Sequence, residues 1–181
     1  MLIAREKRTT NIAEFILYMW QLEDMIRASG FDIDEIDKTI ISKYRQPAEI
    51  LYEMRDWYAS LIESMKQEKI EKKGHLSFVN NLINELTDLN TRLLNHPDES
   101  EYRLLYNQAR PNIEALMNKT NSPGQSEIEA CLTGLYGFLM MRLQKKEISS
   151  ETTAAISTFS SLLAVLSKRF LEIEKGEREL P

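Results

Sequence analysis

The sequence has few of the residues that build metal sites, disulfides or tight turns. Only two histidines and one cysteine, Cys131, occur in 181 residues. A single thiol forms no intrachain disulfide, and a structural zinc site would lack ligands. Glycine and proline number six and five, which argues against a β-rich fold with its frequent turns. Basic residues come as scattered pairs, Lys72–Lys73, Lys145–Lys146 and Lys168–Arg169, in a chain of net charge −5. No nucleic-acid partner is expected from that pattern. The longest unbroken apolar run, Phe15 to Trp20, is far shorter than the ~20 residues that cross a bilayer, so no membrane span is expected. The opening MLIAREKRTTN has no apolar stretch behind its charges and does not read as a secretory signal. These absences point to a cytoplasmic, reduced protein with no cofactor.

What is present is helical periodicity almost from end to end. Asn11 with Glu14 forms a capping-box pattern, and Gly30 closes a first helix over about 11–29. A short second helix lies in FDIDEIDKTIISKY, with Asp32 or Asp34 as its cap. Pro47 opens a third helix to about Lys72, ended by Gly74. HLSFVNNLINELTDLNTRLLNH is a fourth helix, and DESEYRLLYNQARPNIEALMNK a fifth that Pro111 should kink or split. TNSPGQ is the clearest loop. Ser126 caps a sixth helix to about Glu147, and ISSET starts a seventh that fades near Gly176. The expectation is an all-α protein: one compact bundle of six to seven helices over residues 1–181, with 1–9 and 175–181 frayed.

Two helices are apolar beyond one stripe. The first places Ile12, Phe15, Ile16, Met19, Leu22 and Ile26 on its core face, with Leu17, Tyr18, Trp20 and Met25 around it. The sixth carries Ile128, Leu132, Leu135, Phe138 and Leu139, while Gly134 and Gly137 leave room for a close neighbour. A helix apolar nearly all round is central or lies in an oligomer interface. These two are therefore expected to be the most deeply buried, with the serine- and alanine-rich face of the last helix packed against the sixth. Glu23 and Arg142 fall on the two core faces. A lone buried charge is costly, so a Glu23–Arg142 pair between parallel helices is one expectation and snorkelling at the core edge the other.

One constellation looks enzymatic. Glu68 and Glu71, then Glu85 and Asp88, make an ExxE and an ExxD on consecutive helices. That spacing is similar to all-α nucleotide pyrophosphohydrolases of the MazG type, whose carboxylates hold magnesium against a triphosphate. On the fourth helix, however, the stripe is Val79, Leu82, Ile83, Leu86, Asn90 and Leu93. Glu85 and Asp88 lie roughly 110° and 170° from it, which reads better as a solvated acidic face. His75 and His96 stand at helix ends, where capping or packing is the usual role. Cys131 reads as a buried thiol. No E-x-x-H, P-loop or Ser–His–Asp arrangement occurs.

MLIAREKRTTNIAEFILYMWQLEDMIRA, KGHLSFVNNLINELTDL and EIEACLTGLYGFLMMRLQKKEIS together resemble an uncharacterised all-helical family of Bacteroidetes, known as a domain of unknown function. The resemblance implies a single-domain helical protein from an anaerobic gut-type bacterium and carries no catalytic motif to any position. The function expected is a non-catalytic scaffold or interaction module, with a homodimer through the spare apolar face of the first helix. The alternatives are the magnesium-dependent hydrolase at Glu68, Glu71, Glu85 and Asp88, and an anion- or small-molecule-binding bundle with a pocket near Glu23 and Arg142.

Overall fold

The computed structural model describes residues 2–121 and 124–180, so Ser122 and Pro123 of the TNSPGQ loop lie outside the described residues. Eight α-helices and no strand occur among them: α1 Leu2–Thr10, α2 Ile12–Ala28, α3 Ile33–Thr39, α4 Ala48–Gln67, α5 Ser77–Asn95, α6 Ser100–Thr120, α7 Glu127–Leu143 and α8 Ser150–Glu174. A 3-10 turn, Ile41–Lys43, follows α3. The all-α class is as expected, with one or two more helices. The extra one is α1, which is helical where a frayed end was expected. Ala4 is buried on it, and Lys7 reaches Glu14 of α2 at 2.5 Å.

The helix starts follow from local side chains. Asn11 accepts the Glu14 N–H, Asp32 those of Asp34 and Glu35, Ser126 that of Glu129, and Ser149 that of Thr152. Each satisfies an orphan donor of a first turn. The ends hold a surprise. After α2, Gly30 takes a left-handed conformation, and Phe31 N–H and Gly30 N–H return to Ile26 and Arg27 carbonyls. The same pair of bonds closes α4 at Lys69 and α7 at Lys145, lysines at φ 58° and 54°. Both helices therefore stop several residues short of the expected Lys72 and Glu147. Helix α6 runs unbroken through Pro111; of the expected kink or split, the split does not occur.

Helices α5, α6, α7 and α8 each touch the other three, a four-helix bundle, and α2 lies against α5, α7 and α8. Helix α1 covers α2, and α3 packs with α4. One continuous core results. All six residues of the expected α2 stripe are buried, and so are all six of the α5 stripe. Leu17, Tyr18 and Met25 of α2 pack against the same core, leaving Glu14, Asp24 and Ala28 as its exposed residues. Much of the apolar surface of α2 is thus packed inside the chain, with Leu17, Tyr18 and Met25 half-buried at its flanks.

Helix α7 departs from expectation. Ile128, Ala130, Cys131 and Leu132 are buried, but Leu135, Phe138 and Leu139 are only half-buried and Leu143 is 65% exposed. On α8, Ser157, Ser160, Ser161 and Ala164 face solvent instead of α7, and buried Ser167 accepts the Ala13 N–H of α2 at 3.2 Å. By length and composition α8 is apolar enough to cross a bilayer; in this fold Ile156, Phe159, Leu162, Leu163 and Leu166 turn into the core.

The two α7 glycines have opposite surroundings. A Cβ on Gly134 would stand 2.9 Å from the Phe159 ring and 3.0 Å from Leu116, whereas one on Gly137 would meet nothing within 4 Å. Gly134→Ala is expected to destabilise the fold by about 1 kcal/mol or more through overpacking. Gly137→Ala should stabilise the isolated chain by up to about 1 kcal/mol, the helix-propensity difference. Thermal unfolding of the monomer, at a concentration too low for self-association, should show Tm shifts of opposite sign.

Candidate functional site

Glu23 is buried as its place on the α2 stripe requires, at 1% exposure, but its partner is not Arg142. One carboxylate oxygen accepts the Leu76 N–H at 2.9 Å and the other meets His75 Nδ1 at 2.6 Å. Helices α2 and α7 do touch, yet Tyr136 is the α7 residue level with this point, its hydroxyl donating to Asp24 at 2.6 Å. Arg142 lies six residues further along, about 9 Å at 1.5 Å per residue. It is exposed, with its guanidinium over the Phe138 ring. The pocket expected near Glu23 and Arg142 therefore has no basis.

An aromatic wall backs the Glu23 contact. Trp20 stacks on His75 with ring centres 4.4 Å apart and meets Tyr136 edge-on at 5.6 Å. Arg27, one turn beyond Glu23, donates to the carbonyls of Ile70 and Gly74. Helix α2 thus grips the 68–76 connection at four points: Ile70, Gly74, His75 and Leu76. In this arrangement Glu23 satisfies a buried N–H just ahead of α5.

A second buried carboxylate, Glu99, flanks the other end of α5. It too is 1% exposed, and it accepts from Arg169 of α8 at 3.2 Å and from Arg178 of the C-terminal tail. Glu172 shares both arginines. The tail expected to fray is held by this ion-pair network. Nothing in DES at Asp98–Ser100 marks Glu99 as buried, because its partners lie some seventy residues away in sequence.

The acidic pairs do not assemble. Glu68 accepts from both the N–H and the hydroxyl of Ser77 at 2.7 and 2.8 Å, capping the start of α5. Glu71 is exposed in the following loop, and Glu85 and Asp88 are exposed on α5. Among the described residues no three His, Cys, Asp or Glu side chains come together as metal ligands. The ExxE is a helix cap followed by a loop residue.

Burial also sets the titration of the core. The Cys131 thiol is pushed up to about 12 by burial, with nearby Glu127 adding to the shift. Burial likewise raises the Tyr102 and Tyr58 phenols above their ordinary value. The unfolded chain releases these protons first, near 9 for the thiol and 10 for the phenols. Above that range the folded state binds more protons, so stability falls as pH rises. Urea unfolding at pH 8.0 and 10.5 should show a lower midpoint at the higher pH. Cys131 should resist thiol reagents until the chain unfolds.

One groove, of about 420 Å³, lies between α6, α7 and α8. Leu116, Gly137, Phe138, Met141 and Phe159 give it an apolar lining, and Lys119 and Glu151 add one charge of each sign. Helix α7 carries no charged residue from Ala130 to Met141, nor does α8 from Thr152 to Ser167, in a chain that is 28% charged.

No match was found among curated proteins or solved structures. A family model, that of the domain of unknown function DUF4924, matches residues 1–177. The chain belongs to the DUF4924 family.

Proposed function

We propose that the protein is a non-catalytic helical interaction module that self-associates through the α7–α8 face, within a cytoplasmic setting. Gly137 carries this reading. A glycine in mid-helix costs about 1 kcal/mol relative to alanine, and nothing in the chain approaches it. A second helix crossing at that point would use the space. The surroundings support a copy of the same chain. A two-fold axis beside Gly137 would set the same face of each copy against the other, glycine against glycine. The titratable clusters support the non-catalytic half of the reading, since Glu23, Glu68 and Glu99 are each engaged in holding the fold.

Met141→Lys is the test. Its side chain is half-buried at the groove, so a flexible lysine should leave the fold intact and place a charge in the interface. Light scattering after gel filtration should give a dimer for the wild type and a monomer for the variant. A wild-type monomer at every concentration would defeat the reading.

A further inference from the structure

A second groove, on a different side of the molecule and independent of the proposed self-association, has the makings of a ligand site. It measures about 420 Å³, within the range of small-molecule sites, and four helices contribute to it: Arg5 and Arg8 from α1, Phe15 and Met19 from α2, Trp57 and Leu61 from α4, Phe78 from α5. Three aromatic rings make its walls, Phe15 and Phe78 lying 6.5 Å apart. Phe78 remains 43% exposed, an uncovered aromatic at the start of α5.

The charges are as informative as the rings. No carboxylate lines the groove. Arg8 is committed: it donates to both carboxylate oxygens of Glu174, sits over the Phe170 ring and feels Glu85 nearby. Lys7 of α1 is likewise taken up, by Glu14 of α2. Arg5 is exposed, and its guanidinium has no hydrogen-bond or ion-pair partner among the described residues. An apolar, aromatic-walled hollow with one unneutralised guanidinium at its rim complements a molecule with an apolar body and one negative head. Guanidinium groups bind carboxylates and related anions through two parallel N–H donors.

We propose that this groove binds a small amphipathic organic anion, its aromatic or alkyl body among Phe15, Trp57 and Phe78 and its carboxylate on Arg5. The full chain would be titrated calorimetrically with 1-naphthoate and decanoate, and with the neutral 1-naphthamide as control. Saturable 1:1 binding of at least one anion is expected, at least tenfold weaker in Arg5→Gln, with the amide weak in both proteins. Arg5 is exposed, so the variant should fold, which circular dichroism checks. Phe78→Ser, also at an exposed position, should weaken the anion without lowering Tm appreciably. Absence of saturable binding by either anion would overturn the proposal, and so would equal affinity of Arg5→Gln and wild type. Tight binding of the amide, unaffected by Arg5→Gln, would overturn it too.

Discussion

Glu23→Ala is expected to lower the free energy of unfolding by about 3 kcal/mol, within the range for breaking a buried pair. The Leu76 N–H is fully buried and loses its only acceptor at this site. An unmet buried donor costs about 1–3 kcal/mol by itself, and the truncated side chain leaves a void beside Trp20 and His75. His75→Ala should be milder, about 1 kcal/mol, because the Glu23 carboxylate keeps the Leu76 N–H and the imidazole is already 32% exposed. The milder figure is that of an ordinary net hydrogen bond. Urea unfolding of the two single variants and the double variant separates these contributions. Since both residues act on one contact, the double variant should cost less than the sum of the singles. A Glu23→Ala change within about 0.5 kcal/mol, typical of surface sites, would mean that α2 does not hold the 68–76 connection.

Glu99→Ala should cost about 3 kcal/mol as well, for a related reason at the other end of α5. Arg169, only 16% exposed, would keep Glu172 at 3.2 Å as its sole partner, and breaking one side of a buried pair leaves uncompensated charge. The variant has a second, local signature. Arg178 would lose its closest contact, so residues 175–180 should open and trypsin should cut after Lys175 and Arg178 much faster than in the wild type. Arg178→Ala should reproduce the faster cleavage after Lys175 with a smaller loss of stability, about 1 kcal/mol or less, as befits a partly exposed pair. Unchanged cleavage in both variants would show that the network does not anchor the tail.

Much of the fold was legible because local rules and burial agree. The α2 and α5 stripes, and the caps at Asn11, Asp32 and Ser126, all lie where periodicity and cap chemistry place them. Helix ends were less legible wherever a lysine takes the left-handed position usually filled by glycine. Lys69 and Lys145 do so, and α4 and α7 accordingly end before the nearest conspicuous signal. Helix α1 was missed because REKRTT looks like a charged tail; its helical state comes from packing Ala4 on α2 and from pairing Lys7 and Arg8 with distant acids.

The candidate sites show the sharper limit. Helical angles placed Glu23 on the core face, with burial or snorkelling open, but they carry no information about which residue of a distant segment stands level with it. His75 was the partner, one residue ahead of a buried Leu76 N–H that needed an acceptor. Glu99 left no trace in the periodicity because it precedes its helix. The ExxE and ExxD pairs illustrate the converse: their spacing resembled a metal site, but Glu68 caps Ser77 and the other three face solvent.

Self-association through α7 and α8 is the claim on which the functional reading stands, and sedimentation equilibrium of the wild type beside Gly137→Leu addresses it most directly. The space over Gly137 is open within one chain, so leucine there should leave the monomer folded and fill only the room a second copy would occupy. A wild-type dimer that becomes a stable, folded monomer in Gly137→Leu is the expected result. A dimer that survives the leucine with unchanged affinity, or a wild type that stays monomeric, would contradict it.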